Sequence, residues 1–442
     1  MFRQIDNMNY KNIFKKLIVA IVTWQARLVL KKYKPKIIAI TGSVGKTSTK
    51  DAIFTVLSKF KTVRKSQKSF NSEIGLPLTI LGCPNGWSNP FIWIENIVQS
   101  FWLIIWRAPY PEYLVLEVGV GKPGDMKKNV TPWLAPDMVV ITRFPDKPVH
   151  VEFFDSVDSI IEEKSALAFA LKPDGVLILN HDDEKVYNLH TRANRRTVSY
   201  GMNENATYKA TYPVYINTAV DGVEITRGIS FKLEHDGHTF PVMLPNIVGM
   251  NFVGSALSAI AVASEAGCDL LTSINYISEY NTPPGRLSLI EGMNNSMIID
   301  DTYNSSPVAA LSAIEVLKEM KAKRKIAVLG DMLELGKYTE EEHHNLGGMV
   351  ADVADMIVTV GLRSKFIAEG AIEHGFNKKE LYSFDSSRTV AKFLVGVVEK
   401  GDLVLVKGSQ GIRLERAVEA IMAHPEQKDK LLCRQEKEWV NR

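Results

Sequence analysis

An apolar run, Ile37-Ile-Ala-Ile40, leads straight into Thr41-Gly-Ser-Val-Gly-Lys-Thr-Ser-Thr49, and Lys50 to Lys59 then carries apolar residues at helical spacing. Strand, glycine-rich turn, Lys-Thr and helix are the setting of a phosphate-binding loop, and this order points to a largely parallel sheet covered by helices. Gly42 and Gly45 let the backbone approach a polyphosphate closely. The helix N-terminus directs its free N–H groups, from Ser43 to Ser48, at the anion. Lys46 reaches the outer phosphates and the Thr47 hydroxyl is a Mg²⁺ ligand. The spacing is Gly-x-x-Gly-Lys-Thr, shorter than the Gly-x-x-x-x-Gly-Lys-Thr of the Walker A pattern.

The 442 residues suffice for two or three domains. Hydrophobic content of 45% and charged content of 23% belong to an ordinary globular protein, and a net charge of +3 is too small to point to nucleic acid. Cys83, Cys268 and Cys433 are far apart in sequence, with neither a disulfide framework nor a metal-ligand spacing, which suits a reducing cytoplasm. Two segments bear on membranes. Asn12–Lys34 joins an apolar core, Leu17–Trp24, to Lys15, Lys16, Arg27, Lys31, Lys32 and Lys34. Phe91–Trp106 is rich in tryptophan. Both are too short to span a bilayer. Each reads either as a helix docked on the protein or as a peripheral membrane contact.

Short apolar runs at Tyr113–Glu117, Met138–Thr142 and Gly175–Asn180 alternate with helical stretches, notably Ser156–Ala170. From Arg196 to Leu244 polar and apolar residues alternate around Asp221-Gly222 and Asp236-Gly237, an antiparallel β excursion. An Ala-rich helix follows over Val248–Gly267. Pro283-Pro284-Gly285 marks a domain boundary, after which strands and helices alternate again as in a smaller doubly wound, Rossmann-like α/β domain. The expected organisation is a basic amphipathic helix over 1–35, a central ATP-binding domain over 36–283, a C-terminal α/β domain over 284–424 and a fraying polar tail over 425–442.

Glu117 ends a strand downstream of the loop, where an acid can hold the Mg²⁺ that bridges phosphates. Together with this pair, the order of several longer segments resembles the Mur ligase family, the ATP-dependent ligases that build the cell-wall peptide. The resemblance is greatest to its D-alanyl-D-alanine-adding branch. It rests on Thr41–Thr47, Ser66–Leu78 with its Asn71-Ser-Glu-Ile-Gly-Leu-Pro77, Glu117-Val-Gly119, and His150-Val-Glu-Phe-Phe-Asp-Ser156. It continues through Arg286 and Asp301 in a Gly-Arg … Asp-Asp-x-Tyr-Asn pattern, Lys325–Gly336 and Lys407–Arg413, and covers about residues 36 to 423.

The resemblance implies ATP and two Mg²⁺ as cofactors. The first ion would sit on Thr47 and Glu117, the second near His150 and Lys164. It implies that Lys164 is carbamylated, turning a cation into an anionic oxygen ligand; the residues alone also allow a surface lysine paired with Glu163 or another neighbour. Asn251 is similar to the family asparagine that contacts adenine, and is equally placed to cap the Ala-rich helix. Met250 stands where the family often has histidine, and a second asparagine of that motif is absent near Gly254. Arg286 and Asp301 would hold the nucleotide from the second domain, unless Asp300-Asp301 is only a turn and helix-cap cluster before Pro307. Asn71, Glu73, Tyr303, Asn304 and Lys407 are substrate-binding candidates, and Asp331, Glu334 and His343 candidates for the incoming amine.

The implied reaction moves the γ-phosphoryl of ATP to a carboxylate, and an amine then displaces phosphate from the acyl phosphate, with Lys46, His150, Lys164 and Arg286 as the catalytic set. Closure of the second domain would complete the site. Family members acting on wall precursors carry a uridine-diphosphate-binding domain ahead of the loop. Here the loop follows a single basic helix, so the acceptor is expected to be either a UDP-muramoyl-peptide-like molecule held by another surface or a lipid-linked one, and the second substrate an amino acid or dipeptide. Rival readings are a folylpolyglutamate- or cyanophycin-type ligase, a P-loop NTPase without ligation, and a non-catalytic scaffold.

Overall fold

In a computed structural model, residues 2–67, 70–87, 89–144, 154, 156–220, 222–436 and 439 are described, with the backbone alone for 2–15, 220 and 223. The chain forms two compact units. The first comprises Met1–Tyr212, Lys232–Val242 and Asn251–Tyr280; the second comprises Pro213–Phe231, Met243–Met250 and Asn281–Arg442.

The first unit is built on β1 (Lys36–Thr41), β2 (Val63–Lys65), β3 (Tyr113–Glu117), β4 (Met138–Ile141), β5 (Val176–Asn180) and β6 (Arg196–Gly201), in the order β2-β3-β1-β4-β5-β6. The central strand β1 pairs in parallel with β3 and β4, so the ends of these three strands lie side by side. Ile38, Ala39, Ile40, Val115, Val139 and Val140 have no exposed surface, because helices cover both faces of the sheet at these positions. The helices are α1 (Phe2–Tyr33), α2 (Lys46–Leu57), α3 (Gly75–Leu81), α4 (Pro90–Ile105), α5 (Asp125–Asn129), α6 (Val157–Phe169), α7 (Glu184–Tyr187), α8 (Leu189–Ala193), α9 (Phe252–Glu265) and α10 (Leu270–Ile277). Ser156 caps α6 by accepting from Ser159 N at 3.1 Å.

The antiparallel excursion starts later than its composition indicates. β6 pairs in parallel with β5, and β7 (Tyr208–Val220) joins β6 in parallel through Tyr200 and Tyr208. Arg196–Gly201 thus belongs to the parallel sheet. Its polar residues are tolerated because Ser199 is bonded to Thr207, its hydroxyl accepting from Thr207 N at 3.0 Å. Only β7, β8 (Val223–His235) and β9 (His238–Pro245) form the excursion. Asp236 (φ 48°) and Gly237 (φ 76°) make the two-residue β8–β9 turn with both residues left-handed, as a tight hairpin requires.

α1 packs on α3 and α4 through Ile18, Val22, Gln25, Ala26 and Val29, which are buried at spacings of three and four. Gln25 donates to Ile97 O at 3.0 Å, so the one polar residue in this stripe is bonded. Asn12–Lys34 is therefore docked over its described side chains. Among the described residues no helix is long and apolar enough to cross a membrane.

The second unit carries β10 (Ser288–Gly292), β11 (Ser296–Asp301), β12 (Arg324–Gly330), β13 (Met356–Val360), β14 (Leu381–Phe384) and β15 (Asp402–Lys407), in the order β10-β11-β15-β12-β13-β14. All neighbours pair in parallel except β10 with β11. Its helices are α11 (Pro307–Glu319), α12 (Thr339–Ala351), α13 (Lys365–Glu373), α14 (Ser387–Val397), α15 (Glu415–Ile421) and α16 (Lys428–Leu431).

The tail expected to fray from Pro425 is instead packed as far as Arg434. Leu432 joins the core of this unit, Cys433 is buried, and Arg434 donates to Glu415 Oε2 at 2.8 Å and to Tyr303 O at 2.9 Å. The polar residues Lys428–Lys430 hide a short buried anchor. Asp300 and Asp301 do not cap α11 either; that role falls to Ser306, with Pro307 at the first helical position.

Candidate active site

The loop after β1 turns through two glycines for different reasons. Gly42 has φ 143°, and a Cβ there would lie 2.0 Å from Thr142 Oγ1. Gly45 has φ 85° and occupies the N-cap position of α2, leaving the first N–H groups of that helix open to an anion. The loop is tied down from β4: Thr142 Oγ1 donates to Val44 O at 2.6 Å, and Ser43 N to Arg143 O at 2.6 Å. Lys46 Nζ folds back onto Gly42 O (2.9 Å) and Ser43 O (3.3 Å). The Ser43 hydroxyl is buried with no hydrogen-bond partner among the described residues, an orphan that a phosphate oxygen would satisfy. Ser48 is buried in the first turn of α2.

Glu117 gathers the neighbouring groups. Thr47 Oγ1 donates to Glu117 Oε2 at 3.0 Å, Asn71 Nδ2 to Glu117 Oε1 at 3.3 Å, and Lys50 Nζ lies 3.5 Å from Oε2. The adjacent hydroxyl and carboxylate are hard oxygens of the kind Mg²⁺ takes alongside phosphate oxygens and water. They fit that ion. Among the described residues no three His, Cys, Asp or Glu side chains converge, so phosphate and water would have to complete the shell. Lys50, buried beside Glu117, escaped sequence reading although it follows Lys46 by four residues and so shares its helix face. Thr142 and Ser66, whose hydroxyl accepts from Glu117 N at 3.1 Å, were not singled out from the segments that contain them, because their roles depend on contacts across the sheet. Asn71 also accepts from Gly119 N at 2.8 Å through its carbonyl, fastening the Asn71–Leu78 segment to the end of β3; Glu73 is exposed nearby in sequence.

Lys164 is not a surface lysine. It is buried on α6, and its Nζ donates to Gly42 O at 2.8 Å. Burial, reinforced by the positive charge of Lys46, lowers its pKa to about 7. Its neighbour Glu163 is occupied elsewhere, accepting at Oε1 from Met126 N (2.7 Å) and Lys127 N (3.0 Å) at the start of α5. His150 lies outside the described residues. Asn251 sits at the N-cap position of α9, exposed and with no side-chain capping bond. The capping reading is thus set aside, because its helical backbone angles turn the side chain away from the free N–H groups.

In the second unit, the ends of β11, β15 and β12 bring Asp301, Lys407 and Asp331 to one sheet edge, where ligands of such sheets bind. Lys407 Nζ donates to Asp301 Oδ2 at 2.6 Å and to Asn304 O at 3.0 Å. The Arg286 guanidinium stacks 4.4 Å from the Tyr303 ring centre. Asn304 and Glu334 are exposed, and Glu334 is held at φ 66°. Two expectations change here. His343 is fully buried: Nε2 accepts from Met332 N at 2.9 Å and Nδ1 donates to Thr339 O at 2.6 Å. Burial holds its pKa below the ordinary value, so it is a neutral strut for the loop after β12. Asp331 is also consumed, its Oδ1 accepting from Arg363 N (2.9 Å) and Ser364 N (2.7 Å) ahead of α13. Neither is presented to an amine.

Comparison with known proteins identifies the family. Residues 104–263 match the Mur ligase middle domain and residues 285–410 the Mur ligase glutamate ligase domain. The chain is 31% identical over 403 residues to the UDP-N-acetylmuramoyl-tripeptide–D-alanyl-D-alanine ligase of Bacillus subtilis, covering 90% of this chain and 79% of that protein. It is similar to the structure of MurF ligase from Thermotoga maritima in complex with ADP, at 25% identity and a TM-score of 0.71 over 93% of this chain and 84% of that one. MurF from Acinetobacter baumannii, at 24% identity, shares the fold with a TM-score of 0.74 over 91% of this chain and 79% of its own. The chain belongs to the Mur ligase family of ATP-dependent carbon–nitrogen ligases.

Proposed function

We propose that this protein joins D-alanyl-D-alanine to the terminal carboxylate of a muramoyl-peptide-type acceptor in the cytoplasm, through an acyl phosphate, during peptidoglycan synthesis. The observation that carries the reading is the Thr47–Glu117 pair at 3.0 Å beside a glycine loop whose Lys46 is already turned onto it. Lys46 would attract the γ-phosphate and the α2 N-terminus would hold the β-phosphate, so that positioning and charge neutralisation lower the phosphoryl-transfer barrier. Thr47 and Glu117 would hold Mg²⁺, which supplies further neutralisation of phosphate charge. The relatives' printed substrates, UDP-N-acetylmuramoyl-tripeptide and D-alanyl-D-alanine, support the choice of acceptor and amine.

Lys164 as an amine is a hydrogen-bond donor and not a metal ligand. Its lowered pKa leaves a large neutral fraction at pH 7, and a neutral amine can attack CO₂. The N–C bond forms, one N–H proton leaves, and a carbamate anion results. We place carbamylation there, with His150 as the proposed partner for a second Mg²⁺. Asn251, Arg286 and Asp301 are proposed nucleotide contacts; Asn71, Glu73, Tyr303, Asn304, Glu334 and Lys407 are proposed substrate contacts. The test is phosphate release from ATP with UDP-muramoyl-tripeptide and D-alanyl-D-alanine, against arms with other amino acids and with folate. Release that ignores both acceptor and amine contradicts the ligase reading.

A further inference from the structure

Helix α4 carries apolar residues on its buried side and a second apolar stripe on its outer side. A helix on a globular protein normally turns its apolar stripe to the core. In α4 the buried side joins Trp93, and Leu103 and Ile104 packed against the core, to two enclosed polar residues: Asn96 Nδ2 donates to Pro84 O at 2.8 Å and Ser100 Oγ to Asn96 O at 2.7 Å. The outer side carries Phe91 (78% exposed), Ile94, Val98, Phe101, Trp102 (57%) and Ile105. These recur at three- and four-residue steps, so they form one continuous stripe. The buried side is held by Trp93 in the core and by those bonds, and cannot turn outward without losing both. The exposed face is therefore a built feature.

Helix α1 extends the same face. Its outer stripe runs Leu17, Trp24, Arg27, Lys31, all exposed and spaced seven, three and four residues apart. The stripe is apolar in its first half and cationic in its second. Trp24 meets Phe101 edge to face at 6.1 Å, which joins the two stripes. The joint is rigid: Lys32 Nζ donates to Leu103 O, Ile104 O and Trp106 O at 3.1, 2.9 and 2.6 Å, capping the last turn of α4. From residue 12 to 34 there are six Lys or Arg and no acid.

The charge pattern selects the occupant. A second copy of the chain, docked through the same patch about a two-fold axis, would set cations against cations with only Glu95 of α4 to offset them. An anionic bilayer surface takes the whole pattern: aliphatic and phenyl groups among the acyl chains, indoles at the headgroup level and the Arg27–Lys34 end over the phosphates. We propose that α1 and α4 together form a monotopic face that seats the protein on an anionic membrane without crossing it. The proposal stands whether or not the ligase reading does.

The test uses the full chain with vesicles of phosphatidylcholine alone or with about a third phosphatidylglycerol. The protein should float with the anionic vesicles, shift its tryptophan emission to the blue and be quenched by lipids brominated in the acyl chain. A Phe91→Asp, Ile105→Asp double variant, at two of the most exposed positions of the stripe, should lose binding, while its melting curve and its phosphate release in solution stay as in the parent. Each cation beside an anionic bilayer is worth roughly fivefold in partitioning, so Arg27→Gln with Lys31→Gln should weaken binding about 25-fold. Three results would overturn the proposal: no flotation with anionic vesicles, equal binding to neutral ones, or a solution dimer that the double variant abolishes in the absence of lipid binding.

Discussion

Lys164 hydrogen-bonds through Nζ to the carbonyl oxygen of Gly42 at 2.8 Å, across 122 residues of chain. A buried amine thus sits directly against the phosphate loop. Its pKa of about 7 is set by burial first and by the Lys46 charge second. Between pH 7 and the ordinary lysine value of 10.5, the unfolded chain binds a proton that the folded one does not. Stability from this group therefore rises with pH across that window, and below pH 7 it is constant at its lowest value.

The same titration governs carbamylation. Phosphate release should increase as pH rises through 7 and fall when CO₂ and bicarbonate are removed. Protein equilibrated with ¹³CO₂ should show a carbamate carbonyl resonance that Lys164→Arg lacks. In that variant turnover should drop on the order of 100-fold, the scale of losing one preorganised electrostatic group. An unchanged spectrum and rate in Lys164→Arg would remove the carbamate from the account.

Thr47→Val and Glu117→Gln each take one hard oxygen from the proposed Mg²⁺ pair. Each should raise the Mg²⁺ concentration needed for half-maximal phosphate release and lower kcat on the order of 100-fold. Lys46→Ala should abolish release. Titration of Mg²⁺ at saturating ATP separates the two effects, since loss of Lys46 is not rescued by more metal.

Much of this site was legible because the loop is local. Gly42, Gly45, Lys46 and Thr47 fall within six residues, so local rules alone give the loop's shape and its proposed anion-facing side. Glu117 could be proposed because a strand end is readable from an apolar run. Thr142 and Ser66 were not, since they act through contacts formed only after the sheet assembles. His343 and Asp331 show the converse: polar side chains on apparent loops that folding buries and satisfies. In α4 the sequence showed a short Trp-rich apolar segment, but nothing local says which of its residues meet the core. In the tail, Lys428–Lys430 concealed the anchor formed by Leu432–Arg434.

Gly42→Ala would force a Cβ to within 2.0 Å of Thr142 Oγ1 at a left-handed φ of 143°. The loop must shift or strain by about 1–3 kcal/mol. Weakened ATP binding by calorimetry is expected, together with a melting temperature a few degrees lower, about 2–4 °C per kcal/mol in domains of this size.

The tail anchor makes a separate stability prediction. Glu415 lies between Arg413 (2.5 Å) and Arg434 (2.8 Å), so Arg434→Met leaves it half-paired and should cost about 1–3 kcal/mol in urea unfolding of the second unit. Changing Glu415 as well strips the largely buried Arg413 of its carboxylate, so the double variant should cost more than Arg434→Met alone. Equal losses from the single and double variants would show that the ion pair is not what holds the tail.

Acyl-phosphate chemistry leaves an isotopic mark. With an acceptor carrying ¹⁸O in its reacting carboxylate, ATP and D-alanyl-D-alanine should yield one amide product per phosphate. Each released phosphate should contain one ¹⁸O atom from the carboxylate, and Lys46→Ala should give neither product. Phosphate released without ¹⁸O, or without an amide formed, would contradict the account.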